Sequence, residues 1–495
     1  MNEEGRMTRK VLSVIFFFVL VAGLFHLSNV VLFEKQHFGT AKNIAYEEAE
    51  KIDVFFIGPS HIFYGINPMT IWEETGIAGY NLTTHQQPLW TSKLLLKHAL
   101  KHQHPKLIVF DVLMATNFGR PLIGTEQGTN MTHLALDPIP LSLQKIKGVL
   151  KTDSITEKGE ILLPIILNHS RLQQGLLSYD DFHFFTGDRS HPTKGYNYTQ
   201  NTLSYDCPIV PNTDYIHELP EGMEAILIDF IEFCHDQKLP LLFIKTPLVG
   251  NEELYGQINL IGKIAAEHEV PFLNFNLLFD DIGIDFSTDF ADSGHLNVHG
   301  AEKVSKYLAD YISVHYDLPD HRGEDAYNSW DLAARHFNTL TVLPKSDDLT
   351  DFFTAANDHN LLITVQIGGK LEKPIQIPQE MLSAMQAAGF SRIPDHTGSG
   401  TYYAVLKGGK IILENRSDSE ILTDEFMVKD TRFAIHVSPK EPDGGSFMTA
   451  LYIENGGYAL TEPGMMVTAY DMDRMEKITA VRCFFDETGV IEHIK

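Results

Sequence analysis

A serine follows an apolar run in Gly58-Pro59-Ser60-His61, and an Asp292-Ser293-Gly294-His295 box stands far downstream, ahead of a helix-like stretch. A serine hydroxyl is a weak nucleophile at neutral pH. It needs an imidazole to take its proton and a carboxylate to hold that imidazole in the right tautomer. Ser60, His295 and Asp292 supply one group of each kind, for acyl transfer through a serine ester. Asp285 and Asp289 are alternative carboxylates for the role of Asp292, and His299 is an alternative to His295. The competing reading of Ser60 is a helix cap, and that of His295 is a solvated loop histidine; the two boxes together favour nucleophile and base. His61 either contacts substrate or braces the turn by local packing. Asp111 ends an apolar run, so it must be satisfied by hydrogen bonds in the loops around the site.

These groups need a scaffold. Residues 54–57, 107–110 and 240–244 are short runs rich in Ile, Leu, Val and Phe, as expected of parallel strands covered on both faces. Helical patterns lie between them, such as Thr91 to His102, with Leu94, Leu95, Leu96, Ala99 and Leu100 clustered. The alternation predicts an α/β fold with a parallel sheet flanked by helices, and a site at the carboxyl ends of its strands. Residues 118–220 break the rhythm. An insertion of that length is expected to be a lid or acceptor groove, or a helical subdomain supporting the sheet.

The two boxes, with Asp53 to Pro68, Gly79-Tyr80-Asn81-Leu82 and Pro105 to Asp111, resemble the SGNH (GDSL-like) hydrolase superfamily over roughly residues 50 to 315. More narrowly, they resemble a cell-envelope branch related to the DltD-like teichoic acid D-alanylation proteins and to alginate O-acetylation proteins. The resemblance implies an SGNH-type sheet, Ser60 as nucleophile, His295 as base and Asp292 as its orienter, with no cofactor and no metal. It also implies an oxyanion hole built by the Ser60 amide, a glycine amide and an asparagine side chain. Gly79 matches the glycine; Asn81 and Asn117 are both candidates for the asparagine, because Asp111 to Asn117 departs from the usual Gly-x-Asn.

Val11 to Phe33 is a run of 23 residues without a charge, with Arg6, Arg9 and Lys10 on its amino side. Such a run is long enough to span a bilayer, and the flanking charges place the short tail in the cytoplasm and the bulk of the chain outside. Its length favours a signal anchor over a cleaved signal peptide. The net charge of −26 argues against a nucleic-acid partner. Cys207, Cys234 and Cys483 are too far apart to suggest a disulfide framework or a zinc site.

The expected organisation is a cytoplasmic tail (1–10), an anchor (11–33), a stalk (34–50), a hydrolase-like domain (51–320, insertion about 118–220), a linker (321–345) and a C-terminal α+β or mostly β domain (346–495). In the last, residues 361–367, 402–413 and 465–470 read as strands, the second broken by a Lys-Gly-Gly-Lys hairpin, with a helix at 378–388. Parts of it resemble a circularly permuted interleukin-like EMT inducer (GG) domain, through Asp348 to Val365, Ala387 to Phe390, Asn455 to Leu460, Val467 to Asp471 and Phe484 to Asp486. That resemblance implies carbohydrate binding; the alternative is a structural module.

Two classes of function follow. The first is a membrane-anchored extracytoplasmic serine acyltransferase or esterase acting on a surface glycan or teichoic-type polymer, its acyl group supplied by a membrane-bound O-acyltransferase. The second is an inactive assembly or glycan-binding protein that retains the fold.

Overall fold

The computed structural model describes residues 3–33, 50–153, 156–182, 191–206, 212–368, 379–392, 401–438, 449–454, 456–460, 464–483 and 491–494. The chain divides into two compact units, Met1–Asp331 and Leu332–Lys495. The expected stalk, save Glu50, lies outside the described residues, as do Cys207, Asn455 and Phe484 to Asp486.

The first unit opens with an apolar helix, α1 (Glu3–Leu32), whose segment Arg9–Leu32 is long and apolar enough to cross a membrane. A five-stranded parallel sheet follows: β1 (Val54–Gly58), β2 (Gly79–Thr83), β3 (Leu107–Asp111), β4 (Leu241–Lys245) and β5 (Phe272–Asn274), in the order β2-β1-β3-β4-β5. Every residue of β1 to β4 is buried. Covering on both faces explains why these strands read as continuous apolar runs instead of alternating ones. The three expected strands are present, each within a residue of its expected limits.

Helices join the strands: α2 (Ser60–Gly65) and α3 (Pro68–Thr75) after β1, then α4 (Leu89–Ala99) after β2. Asn67 caps α3, its side chain accepting from the Met69 amide at 3.0 Å, and Pro68 stands at the first helical position. Between β3 and β4 the insertion folds as short helices, α5 (Glu126–Leu136), α6 (Leu143–Lys151), α7 (Lys158–Leu162), α8 (Ile165–Asn168), α9 (Ser170–Gln173) and α10 (Tyr179–Phe182), before α11 (Met223–Asp236) returns the chain to β4. Then come α12 (Glu252–Glu267), a single turn α13 (Phe279–Ile282) and the long α14 (Val298–His315), capped by Asn297. The strand order reverses direction between β1 and β3. Open α/β sheets form their ligand crevice at such a point, outside the carboxyl ends of the strands.

Helix α15 (Asn328–Val342) starts in the first unit and continues into the second, which carries α16 (Leu349–Thr354) and α17 (Gln379–Ala387) with, among the described residues, ten strands: β6 (Leu361–Gly368), β7 (Thr401–Lys407), β8 (Lys410–Ser417), β9 (Leu422–Val428), β10 (Thr431–Val437), β11 (Thr449–Ile453), β12 (Gly456–Leu460), β13 (Gly464–Asp471), β14 (Glu476–Cys483) and β15 (Ile491–His493). They form two antiparallel sheets, β15-β14-β13-β6-β7-β8 and β12-β11-β10-β9. One face of the larger sheet packs against α16 and α17 through Ile363, Val365, Phe352 and Met385; the other packs against the smaller sheet through Leu362, Val405, Phe433 and Leu451. The Lys-Gly-Gly-Lys hairpin joins β7 to β8, with Gly408 and Gly409 at φ 56° and 79°, which side chains disfavour. The C-terminal α+β reading agrees with this unit.

Candidate active site

Strand β1 delivers the serine. Gly58 closes the strand because a Cβ there would meet Ile62 Cγ1 at 2.7 Å and Asp111 Cβ at 3.0 Å. Pro59 takes the N-cap position of α2 in an extended conformation without any side-chain cap bond, leaving Ser60 as the first helical residue. Ser60 is therefore not a helix cap. Its Oγ lies 2.7 Å from His295 Nε2.

His295 arrives from a tight loop before α14. Phe290 bridges to Leu296, the Ala291 amide donates to the His295 carbonyl at 2.9 Å, and the Val249 amide donates to Ser293 O at 2.9 Å, pinning the loop beyond the end of β4. His295 Nδ1 lies 2.9 Å from Asp292 Oδ2 and 3.0 Å from Oδ1, while Oδ1 also accepts from the Gly294 and His295 amides at 2.8 and 2.9 Å. With Nδ1–H donated to the carboxylate, Nε2 is left to accept the serine proton. Partial burial opposes ionisation of Asp292, but the hydrogen bonds from His295 and Gly294 and the nearby imidazole outweigh it, so the carboxyl sits below its ordinary range.

The other acidic candidates are occupied elsewhere. Asp289 is buried and pairs with Lys303 at 2.7 Å, and Asp285 accepts from the Ser287 amide and hydroxyl at 2.8 and 2.6 Å. His299 is exposed on α14. The structure thus brings together Ser60, His295 and Asp292.

Beneath them lies a polar cluster that the sequence only partly disclosed. Asp111, ending β3, accepts from the Leu113 amide at 2.9 Å and, through its other oxygen, from the Thr246 amide and hydroxyl, both at 3.1 Å. Lys245, ending β4, is wholly buried; its Nζ lies 3.3 Å from Asp111 Oδ2, 2.9 Å from Thr246 O and 3.2 Å from His61 Nδ1. His61 Nδ1 also lies 3.1 Å from Thr246 Oγ1; beside an ammonium, which has no acceptor capacity, the neutral ring favours the tautomer with its proton on Nε2. Burial, then the charge of Lys245, then that of His295 push the His61 imidazolium well below the ordinary range. Burial also lowers the Lys245 ammonium, with Asp111 opposing. The neutral His61 ring lies 5.2 Å, centroid to centroid, from that of His295.

Lys245, Thr246, Tyr64 and His85 escaped the sequence reading. Tyr64 meets His295 edge-on at 5.1 Å, and His85, just past β2, stacks on Phe63 at 5.9 Å. Burial and the charge of His295 lower His85. A lysine closing the apolar run Leu241 to Ile244 was the available signal, because a charge there must find a partner.

The three residues expected at the oxyanion hole each have other partners. Register pairs Val54 with Gly79 and Gly58 with Thr83, so Gly79 lies at the amino end of β2, about 13 Å of strand away from the serine's end. Its amide donates to Ile77 O and its carbonyl accepts from Trp330 Nε1, each at 3.0 Å. Asn81 is buried in β2 with Nδ2 donated to Ile66 O at 2.8 Å, bracing the end of α2. Asn117 is tied to α12: its amide donates to Gln257 Oε1 at 3.0 Å and its side chain to Glu253. A tripeptide match in sequence carries no information about which end of a strand it occupies.

Cys234 and Cys483 are both buried, and burial pushes the Cys234 thiol up to about 12, away from nucleophilic use. Among the described residues no group of three or more His, Cys, Asp or Glu side chains is arranged to hold a metal ion. No family model matches the chain, and no curated protein does.

Proposed function

We propose that this chain is a membrane-anchored serine acyltransferase or esterase of the SGNH type, acting on acyl groups of a cell-surface glycan or teichoic-type polymer. The observation that carries the reading is the continuous chain from Ser60 Oγ to His295 Nε2 at 2.7 Å and from His295 Nδ1 to Asp292 at 2.9 Å. The strand order, with the serine after β1 and the histidine ahead of the last helix of the first unit, also supports the SGNH assignment.

In this reading Ser60 Oγ attacks an ester carbonyl while its proton passes to His295 Nε2, and Asp292 stabilises the resulting imidazolium. The C–O bond to the leaving alcohol breaks as His295 returns that proton to it, leaving an acyl-serine. A glycan hydroxyl or water, deprotonated by His295, then attacks the acyl-serine and releases Ser60. The charge on the tetrahedral oxygen is met by the Ser60 amide, one of the first amides of α2 without an intrahelical acceptor, and by Nε2–H of His61, which replaces the expected asparagine. A donor held in place before the reaction stabilises the oxyanion without reorganisation. Apolar α1 supports the anchor, with the active-site unit outside and a membrane-bound O-acyltransferase as acyl donor.

The test is release of p-nitrophenolate from p-nitrophenyl acetate by the full chain, with and without added oligosaccharide. Turnover that vanishes in Ser60→Ala supports the reading, and an acetylated oligosaccharide product assigns transfer over hydrolysis. Wild-type turnover no greater than that of Ser60→Ala refutes it.

A further inference from the structure

Where α1 ends, the insertion takes hold of it. The Asn29 side chain accepts from the Ile165 amide at 2.9 Å, at the start of α8. Arg171, in α9, donates through Nη1 to the carbonyls of Leu32 and Phe33 at 2.7 and 2.9 Å. Those carbonyls belong to the last turn of the helix, where no intrahelical donor remains and where a cation is electrostatically favoured. Arg171 is itself fixed by buried Asp181 of α10, Nη2 to Oδ2 2.9 Å, and Asp181 also accepts from the Ser178 amide at 2.8 Å. Three short helices are therefore fastened to the final turn of the apolar segment.

The same three helices and their connections present large apolar side chains to the outside. Ile166, Leu167, Leu172, Leu176, Tyr179 and Phe182 are all exposed, Leu172 by 66% and Phe182 by 59%. Single exposed apolar residues need no explanation, whereas a concentration of them marks an interaction surface. Helices of four residues bury little apolar surface of their own, so the described residues of this segment do not account for the pattern.

We infer that α8, α9 and α10 form a lipid-binding collar, which seats the active-site unit on the bilayer at the point where α1 leaves it. The inference rests on the reading of α1 as a membrane span. A span that ends at Leu32 puts groups bonded to its last carbonyls at the level of the lipid headgroups and upper acyl chains. There Leu and Ile side chains and Phe182 enter hydrocarbon, and Tyr179 matches the tyrosine enrichment of membrane interfaces. Interfacial apolar faces bury themselves about 5–10 Å into this boundary. Arg171 would then hold the collar to the span, and the collar would fix the height and tilt of the catalytic unit above the membrane. A site so held meets acyl donors and acceptors displayed at the membrane surface instead of soluble ones.

The test uses the full chain in phosphatidylcholine–phosphatidylglycerol vesicles, with Leu172→Trp and Leu20→Trp as separate variants and the wild type as the background for its three tryptophans. Both replacements are at exposed positions, and thermal unfolding checks that each variant is folded. The inference predicts that added fluorescence of Leu172→Trp is lost to lipids brominated high on the acyl chain, and that of Leu20→Trp to lipids brominated near the methyl end. Quenching of Leu20→Trp with Leu172→Trp left at the wild-type background overturns the collar while keeping the span. Failure of both probes to be quenched overturns the span and the collar together.

Discussion

Lys245 Nζ and His61 Nδ1 lie 3.2 Å apart in a space where the lysine side chain has no exposure at all. That relationship ties the ends of two strands to the residue beside the proposed nucleophile. Asp111 from β3 balances the ammonium, the ammonium sits against His61 Nδ1, and the opposite edge of the ring, Nε2, faces Gly294 in the loop that carries Asp292 and His295.

Breaking this pair should cost stability before it costs chemistry. Lys245→Met leaves Asp111 buried without its counter-ion, for which a loss of about 3–5 kcal/mol is expected. Removing both charges in Lys245→Met/Asp111→Leu should cost less than the sum of the single changes, because neither residue is then left unpaired. Urea unfolding of the four proteins measures this; additive losses would show that the two side chains are not coupled.

His61 is proposed to act on the reaction and not merely on the fold. His61→Ala should lower kcat by roughly 10²–10³-fold, the range for loss of an oxyanion donor. His61→Gln, which restores an N–H at similar reach, should recover part of it. Steady-state kinetics with matched thermal unfolding check the pair: equal losses in both variants, or a loss confined to KM, would contradict the donor role.

Asp292→Asn removes the acceptor that holds His295 Nδ1–H. The amide can turn its N–H toward the ring and favour the unproductive tautomer, so turnover should fall roughly 10³–10⁴-fold. Thermal unfolding should change little, since Asp292 is half-exposed. Hydrolysis of p-nitrophenyl acetate reads this directly; wild-type rates in the variant would remove Asp292 from the mechanism.

The second unit should respond to pH through His336. Burial opposes its charge, yet a 2.6 Å hydrogen bond to Asp358 and the charges of Asp358, Asp471 and Asp473 raise it above the ordinary value of 6.5. A raised folded value means that this contribution to stability is complete below pH 6.5 and is lost as pH rises through the folded value. Asp471, pushed up to about 6 mainly by burial, loses stability in the same direction as pH rises from near 4 to 6. Hydrogen exchange along β6 and β13 should therefore be slower at pH 6 than at pH 8 after correction for intrinsic rates, and His336→Gln should shrink the difference.

The sequence disclosed those parts of the molecule in which one local pattern sufficed. β1, β3 and β4 were legible because burial on both faces writes itself as unbroken apolar runs, and the Ser60 and Asp292/His295 boxes because each lies within four residues. The smaller sheet, β9 to β12, was not anticipated: β9 places Asp424 and Glu425 within it, and β10 mixes Arg432 and His436 with Phe433 and Ile435. Such strands owe their place to one packed face and to their neighbours. The placement of Gly79, Asn81 and Asn117 was not legible for a related reason, since an oxyanion hole is assembled by register and loop path, which spacing along the chain does not encode. Lys245 went unnoticed because its partners, Asp111 and His61, are 134 and 184 residues away.

The central claim is that Ser60 is an activated nucleophile. Its most direct test is the intact mass of the full chain after exposure to a fluorophosphonate, which phosphonylates activated serines with loss of fluoride, beside Ser60→Ala and His295→Ala. The account predicts a single adduct in the wild type, mapping to Ser60 and missing from both variants. A folded wild-type protein that stays unlabelled, or an adduct that persists in Ser60→Ala, would contradict it.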